Sequence, residues 1–356
     1  MSEKLRVPLS RPSPDWERFL KAATTDYEPP RPPVVEYIVD VTVMRPILEK
    51  VGRRWVEPAA DRESQAAYWD NYIAFWHHMG YDYDRLEISM PFHRPGREGG
   101  IRGRSFQETG RGPIASWDDF ADYPWPEPGK ADLFCLEYVS SHMPEGMGLI
   151  TCHAGGPFEH LSMLMGYETL CLSLHDEPKL VAAVAERIGT LMVGYYRRLL
   201  ELPRLIVLWQ GDDMGFRTGT LIAPDQLRQY VLPWHKEFAR LAHEAHLPYF
   251  LHSCGNISQI MEDLIEDVGI DAKHSFEDAI LPAAEFKRRY GRRIGTLGGV
   301  DVDVLARQDA PAIRRYVRKL IDDCAPGGRF AVGSGNSIPD YIPPENYLTM
   351  IDEALR

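Results

Sequence analysis

The chain has 356 residues, with 40 basic against 52 acidic side chains and a net charge of −12; 44% of residues are hydrophobic and 26% charged. This is the composition of a soluble globule of barrel size. An acidic chain without a basic run argues against nucleic acid and against anionic membrane surfaces as partners. The N-terminus lacks an apolar signal core and no stretch approaches the roughly 18 apolar residues of a membrane span, so a cytoplasmic protein with no membrane partner is expected. The five cysteines, at 135, 152, 171, 254 and 324, are dispersed and odd in number, which suits a reducing compartment better than a disulfide framework.

Residues 1–33 are rich in proline and charge and read as an N-terminal arm, with a short amphipathic piece from Trp16 to Ala23. From residue 34 onward, short β-rich apolar runs alternate with longer helical patterns. That rhythm signals parallel strands joined by crossover helices. The predicted strands are 34–39, 85–89, 148–152, 205–209, 248–252, 271–275, 293–297 and 330–333. The predicted helices are 62–78, 132–142, 177–200, 224–245, 257–267, 282–290, 310–324 and 344–355. Pro224, Pro282 and Pro344 sit in first turns, where the missing N–H costs nothing. Eight βα units in order predict an α/β fold, a (β/α)8 TIM barrel forming a single domain over 34–356. The stretch 90–128, rich in Gly, Arg and aromatics, is expected to be an insertion after strand two that covers the site or meets another subunit. Tyr68, Trp69, Tyr72, Phe75 and Trp76 have helical spacing and read as core.

In a barrel of this kind the chemistry gathers at the C-terminal strand ends. The most informative end is His252-Ser253-Cys254. An imidazole and a thiol one residue apart at a strand end share a face, which suits a zinc or soft-metal site, or a reactive thiol beside a base; a buried cysteine next to a hydrogen-bonded histidine is the plain alternative. Other ends offer Glu36 and Asp40, Glu87 with His93 and Arg94, His153 with Glu159 and His160, Trp209 with Asp212, Asp213 and Met214, His274 with Glu277, and Asn336. Asp212 or Asp213 is either a helix cap or a general acid, base or ligand. His274 with Glu277 reads as a hydrogen-bonded support pair. Gly298-Gly299 and Gly333/Gly335 serve tight turns or a phosphate, with no Lys or Arg among them. Arg94, Arg97, Arg102, Arg104 and Arg111 read as solvated loop surface, from which one or two could fold over an anion.

Taken together, the His252-Ser-Cys254-Gly-Asn corner, the Gln210-Gly-Asp-Asp-Met-Gly stretch and the Gly333-Ser-Gly-Asn-Ser-Ile-Pro-Asp-Tyr-Ile-Pro-Pro-Glu-Asn ending resemble the uroporphyrinogen decarboxylase superfamily. The resemblance runs from Val34 to the C-terminal helix and implies a TIM barrel with one of two chemistries: porphyrinogen decarboxylation, or methyl transfer to or from a cobalamin-bearing corrinoid protein. The decarboxylase branch carries an arginine-rich N-terminal signature and a catalytic aspartate after strand two. Here the matching region, Val35-Glu36-Tyr37-Ile38-Val39-Asp40, has no arginine, strand two ends in Glu87-Ile88-Ser89-Met90, and Asn336-Ser337 stands where that branch has histidine.

The resemblance therefore points to the corrinoid-dependent methyltransferase branch. Its zinc-dependent members have a His-x-Cys pair and a distant cysteine; the pair is present as His252 and Cys254, and the distant position is Ser334. Without that thiolate, the reading is a component that demethylates a small methoxylated substrate, aromatic ones included, and passes the methyl to a corrinoid protein. It implies catalytic roles for Asp212, His252 and His153, and substrate contacts from Glu36, Arg94, Trp209, Asp213, Met214, His274, Glu277 and Asn336. It also implies a Zn2+ site at His252 and Cys254, and a homodimer. The rival is a decarboxylase or lyase of the same superfamily on a small acid, with Arg94 and Arg102 on the carboxylate and Asp212 or His252 managing protons.

Overall fold

The computed structural model describes residues 5–92 and 110–356. Its centre is a curled, seven-stranded, wholly parallel sheet in sequential order. The strands are β1 (Tyr83–Arg85), β2 (Gly148–Thr151), β3 (Leu205–Gly211), β4 (Tyr249–His252), β5 (Ala272–His274), β6 (Gly295–Leu297) and β7 (Phe330–Ala331). Every strand residue is buried, as expected when helices cover one face of a sheet that curls around its own side chains on the other. The ladder sets Gly211 beside His252 and His252 beside His274, so the polar strand ends share one rim.

The first predicted strand differs. Residues 34–39 run parallel to the last strand through isolated bridges, Val34 with Val332 and Val39 with Ile338. On their other side, side chains replace the ladder. Glu36 N donates to Tyr83 Oη (2.7 Å), Tyr83 Oη donates to the Glu36 carbonyl (2.9 Å), and Arg85 Nη1 donates to the Tyr37 carbonyl (2.9 Å). The predicted strand 85–89 is observed earlier and shorter, and Ile88 keeps only a bridge to His153.

Two helices also depart from the expectation. The predicted 224–245 helix is two, Pro224–Tyr230 and Leu232–Glu244, because Pro233 has no N–H to continue the first and opens the second instead. The predicted 257–267 helix is a 3₁₀ turn, Ser258–Ile260, followed by a π turn, Asp263–Val268. The long helix Pro178–Leu199 and the C-terminal Pro344–Ala354 match closely.

The helix Trp16–Thr24 lies across the N-terminal strand ends. Asp15 N donates to Asp82 Oδ1 (2.7 Å), Trp16 N to the Gly146 carbonyl (3.0 Å) and Arg329 N to the Thr25 carbonyl (2.8 Å). Phe75 and Trp76 are core, as their spacing predicts, with Tyr68, Trp69 and Tyr72 half-buried beside them. Within 90–128 the described part includes the helix Trp117–Asp122 and a segment at Gly112–Ile114 hydrogen-bonded to Leu164 and Met165. Arg94, with His93, Arg97, Arg102 and Arg104, lies outside the described residues; Arg111 is exposed and pairs with Asp119. No helix among the described residues is long and apolar enough to cross a membrane.

Candidate active site

Strand register places His252 and His274 side by side, and burial decides their charge. Burial pushes His274 down to about 3 and His252 well below its usual value, so both imidazoles are neutral near pH 7. Their tautomers then follow from the acceptors around them. His274 Nε2 lies 3.2 Å from the Ser334 carbonyl oxygen, which can only accept, so Nε2 carries the hydrogen. His274 Nδ1 is thus a lone pair, 2.7 Å from His252 Nδ1, and His252 Nδ1 must donate to it. His252 Nε2 is left with its lone pair outward.

That lone pair faces two other donors. Cys254 Sγ is 3.3 Å away and Asp213 Oδ1 is 3.7 Å away. Ligand atoms of Asp213, His252 and Cys254 all lie within 4.8 Å of one another. The turn that assembles them is internally tied: Cys254 N donates to Asp213 Oδ1 (2.8 Å), and the sulfur receives hydrogen bonds from Asn336 Nδ2 (3.2 Å) and Ser275 Oγ (3.5 Å). One nitrogen, one oxygen and one sulfur donor, with the histidine's second nitrogen committed to a neighbour, form a set that fits zinc with one position open.

Tyr37 roofs the imidazole. Its ring stacks on His252 with centroids 4.0 Å apart and planes 11° apart, and the Arg85 guanidinium carbon lies 3.5 Å from the same ring's centroid. Arg85 is fully buried and donates to Glu87 Oε2 (2.6 Å), which also receives Tyr37 Oη (3.2 Å) and Cys152 Sγ (3.4 Å). Gly211 makes room for this arrangement, since a Cβ there would sit 2.2 Å from Tyr37 Oη. Gly298 has a similar cause: its φ is +81° and a Cβ would meet the Ser334 carbonyl at 2.0 Å, the same oxygen that fixes His274.

The adjacent aspartates have different surroundings. Asp212 is fully buried. Its oxygens accept from Phe158 N (3.0 Å) and Glu159 N (2.9 Å) at the start of the helix Pro157–Met165, and His235 Nε2 lies 2.8 Å from Oδ2. Asp213 belongs to the Cys254 turn instead. Burial, then Asp213, then Asp212 push the Glu159 carboxyl well above its usual range, against the hydrogen bond that Gly156 N donates to its Oε2 (3.0 Å).

His153 is buried with both nitrogens on its surroundings. Nε2 accepts from Met90 N (2.9 Å), and Nδ1 faces the Gly155 carbonyl (3.1 Å). Glu36 is buried against Ser334, whose Oγ is 2.6 Å from Glu36 Oε1; the hydroxyl at the distant-cysteine position thus engages Glu36. Trp209 and Met214 are buried, with Trp209 edge-on to Tyr37 and His274 at 5.3 Å. Glu277 is half-buried, its carboxyl raised by burial and then by Asp301; the ring nitrogens of His274 are taken by His252 and Ser334 rather than by it. Tyr37, Lys273 and Ser275 were missed in the sequence. Lys273 and Ser275 flank His274 on a predicted strand, and that adjacency was the available signal.

Residues 111–356, well over half of the chain, match the family model described as uroporphyrinogen decarboxylase (URO-D). The chain belongs to the uroporphyrinogen decarboxylase family. A methylated-thiol–coenzyme M methyltransferase of Methanosarcina mazei is 26% identical over 190 residues, 53% of this chain and 48% of that protein. A uroporphyrinogen decarboxylase of Cupriavidus necator is 33% identical over 97 residues, 26% of either chain. The matched region thus spans about half and about a quarter of these curated relatives. A putative vitamin-B12 independent methionine synthase of Listeria monocytogenes superposes with a TM-score of 0.51 at 13% identity, covering 92% of this chain and 96% of that one. That last likeness concerns the fold alone. The URO-D family therefore includes this chain, and its polar residues converge on the strand-end rim.

Proposed function

We propose that this protein is a methyltransferase of the URO-D family that demethylates a small methylated substrate, most simply a methoxylated one, for a corrinoid acceptor on a partner protein. The observation that carries the reading is the convergence of Asp213 Oδ1 and Cys254 Sγ on His252 Nε2, at 3.7 and 3.3 Å. The 26% identical relative, named as a methyltransferase, supports the same side of the family. In this reading residues 34–39 complete the barrel as its eighth member.

Asp213, His252 and Cys254 would hold Zn2+. Bound there, the ion would polarise the substrate heteroatom from which the methyl group departs. The chain's own residues do the rest. Ser334 and His274 keep His252 in the tautomer that leaves Nε2 free, and Asn336 and Ser275 fix the sulfur. Tyr37 covers the imidazole face against water. As the methyl-to-heteroatom bond breaks, its electron pair stays on the heteroatom, which then needs a proton. In this reading Glu159, whose carboxyl burial and the two aspartates push upward, would supply it; Asp212, named from sequence for that task, has both oxygens engaged by Phe158 N, Glu159 N and His235. His153 orders the loop after β1.

The test is metal analysis together with methyl transfer from methoxylated and methylated-thiol donors to a reduced corrinoid protein. Cys254→Ala should lose bound zinc and activity together, and Glu159→Gln should keep zinc while slowing transfer by roughly 10²–10⁴. Full activity in metal-free protein, or carbon dioxide release from a small acid in place of methyl transfer, would reject the reading; the second result would favour the decarboxylase alternative.

A further inference from the structure

We propose that Lys273 is a positioning residue whose buried ammonium clamps Ser275 in a left-handed turn and so aims the Ser275 hydroxyl at the Cys254 sulfur. The inference rests on the reading of Asp213, His252 and Cys254 as a metal centre, but its geometry stands apart from that reading.

Ser275 has a φ of +85°, a conformation that residues with a Cβ rarely adopt. It lies at the end of β5, where the chain leaves the sheet and enters the rim. Backbone of this kind persists when surrounding contacts over-determine it, and it gathers at functional sites. Beside the backbone bonds of Phe276 N to the Gly335 carbonyl (2.7 Å) and Ser253 N to the His274 carbonyl (3.3 Å), the Lys273 side chain supplies such a contact. Successive strand residues point to opposite faces, so while His274 faces His252, Lys273 runs along the other side of the strand. Its Nζ lies 2.5 Å from the Ser275 carbonyl, 3.1 Å from that of His274 and 3.5 Å from that of Ser253. An ammonium has three N–H donors and no acceptor, and three carbonyl oxygens meet it. Without it, these carbonyls would converge in a buried space with no shared donor. The ammonium also lies 4.6 Å from the centroid of Phe276.

The consequence falls on the sulfur. Ser275 Oγ reaches Cys254 Sγ from one strand end at 3.5 Å, and Asn336 Nδ2 reaches it from another at 3.2 Å. Lys273 also touches the carbonyl of Ser253, the residue between His252 and Cys254. One buried cation therefore ties the two loops that must stay in register for nitrogen and sulfur to face each other. Residues that orient a metal ligand in this way commonly change affinity by about 10–100-fold when removed.

A double-mutant cycle tests the clamp, using wild type, Lys273→Met, Ser275→Ala and the pair. Zinc affinity is measured by competition with a chromophoric chelator, and iodoacetamide labelling of Cys254 in metal-free protein is followed by peptide mass spectrometry. Each single change should weaken zinc by about 10–100-fold and speed Cys254 labelling. In the Ser275→Ala background, Lys273→Met should add clearly less to either than it does in wild type. Fully additive losses, or a Lys273→Met protein with unchanged Cys254 labelling, would overturn the proposal. If wild type binds no zinc, the metal reading fails, and the labelling cycle still decides the clamp. Lys273→Gln, which keeps two N–H donors, replaces Lys273→Met in the cycle if the latter does not fold.

Discussion

Replacing His274 by Phe probes the tautomer chain directly. The phenyl ring preserves most of the volume between β4 and β5 but removes two hydrogen bonds, the 2.7 Å contact to His252 Nδ1 and the 3.2 Å contact to the Ser334 carbonyl. Both partners are buried, and each group left without a partner costs about 1–3 kcal/mol, so the protein should lose a few kcal/mol of stability. The second effect is specific to the site. With no acceptor at Nδ1, His252 gains by moving its hydrogen to Nε2, where Cys254 and Asp213 can accept it. A zinc ion must then displace that hydrogen, and affinity should fall by about 10–100-fold, equivalent to about 1.4–2.7 kcal/mol. His274→Asn offers an oxygen acceptor near the lost Nδ1 and should recover part of the affinity. The assays are urea unfolding, chelator competition, and nitrogen NMR of ring-labelled histidine, which reads the His252 tautomer. Wild-type zinc affinity in His274→Phe, or a wild-type tautomer with hydrogen on Nε2, would refute the reasoning.

Glu36 should make stability depend on pH. Burial raises its carboxyl from the usual 4.5 to about 8, so the folded state holds a proton that the unfolded chain releases. That contribution is complete below about 4.5, is lost as pH rises through about 8, and is worth at most about 5 kcal/mol. Glu36→Gln, compared with wild type by urea unfolding from pH 5 to 9, should flatten the curve; parallel curves would count against a protonated Glu36. Asp212→Asn places an amide against two backbone N–H groups and should cost about 1–3 kcal/mol of stability, with zinc still bound. Loss of zinc with unchanged unfolding would put Asp212 in the metal centre instead. Ser334→Cys should add no metal–thiolate band in cobalt-substituted protein, because position 334 faces Glu36. A stronger band would show that the side chain can turn toward Cys254.

Much of the fold was legible because its parallel strands are buried on both faces and read as short apolar runs. Gly148–Thr151, Leu205–Gly211 and Tyr249–His252 fall where such runs predict them. The failures have local causes. Pro32 and Pro33 precede the first predicted strand, and the hydroxyl of Tyr83 and the guanidinium of Arg85 fill the side where a neighbouring ladder was expected. β1 was placed late because Tyr81-Asp82-Tyr83-Asp84 alternates acids with aromatics and resembles a loop. Tertiary contacts override that pattern: Asp82 anchors the N-terminal helix, and Tyr83 packs on Phe19 with centroids 4.9 Å apart.

The site shows the same division more sharply. A histidine and a cysteine one residue apart at a strand end could be read as partners from sequence, since alternation returns every second residue to the same face. Which of Asp212 and Asp213 joins them could not. The two are neighbours with the same chemistry, and the deciding facts lie far away in sequence. The helix that begins at Pro157 presents the amides of Phe158 and Glu159 to Asp212, and His235 closes on its other side. The amide of Cys254 draws Asp213 to the sulfur. Nor could sequence show that the hydroxyl of Ser334 is bound to Glu36 while its carbonyl orients His274. The position that lacks the expected thiolate still acts on the centre, through its backbone. For that reason Ser334→Ala should disturb Glu36 more than zinc. A fall in zinc affinity as large as that of His274→Phe would show that the hydroxyl, and not the carbonyl, supports the centre.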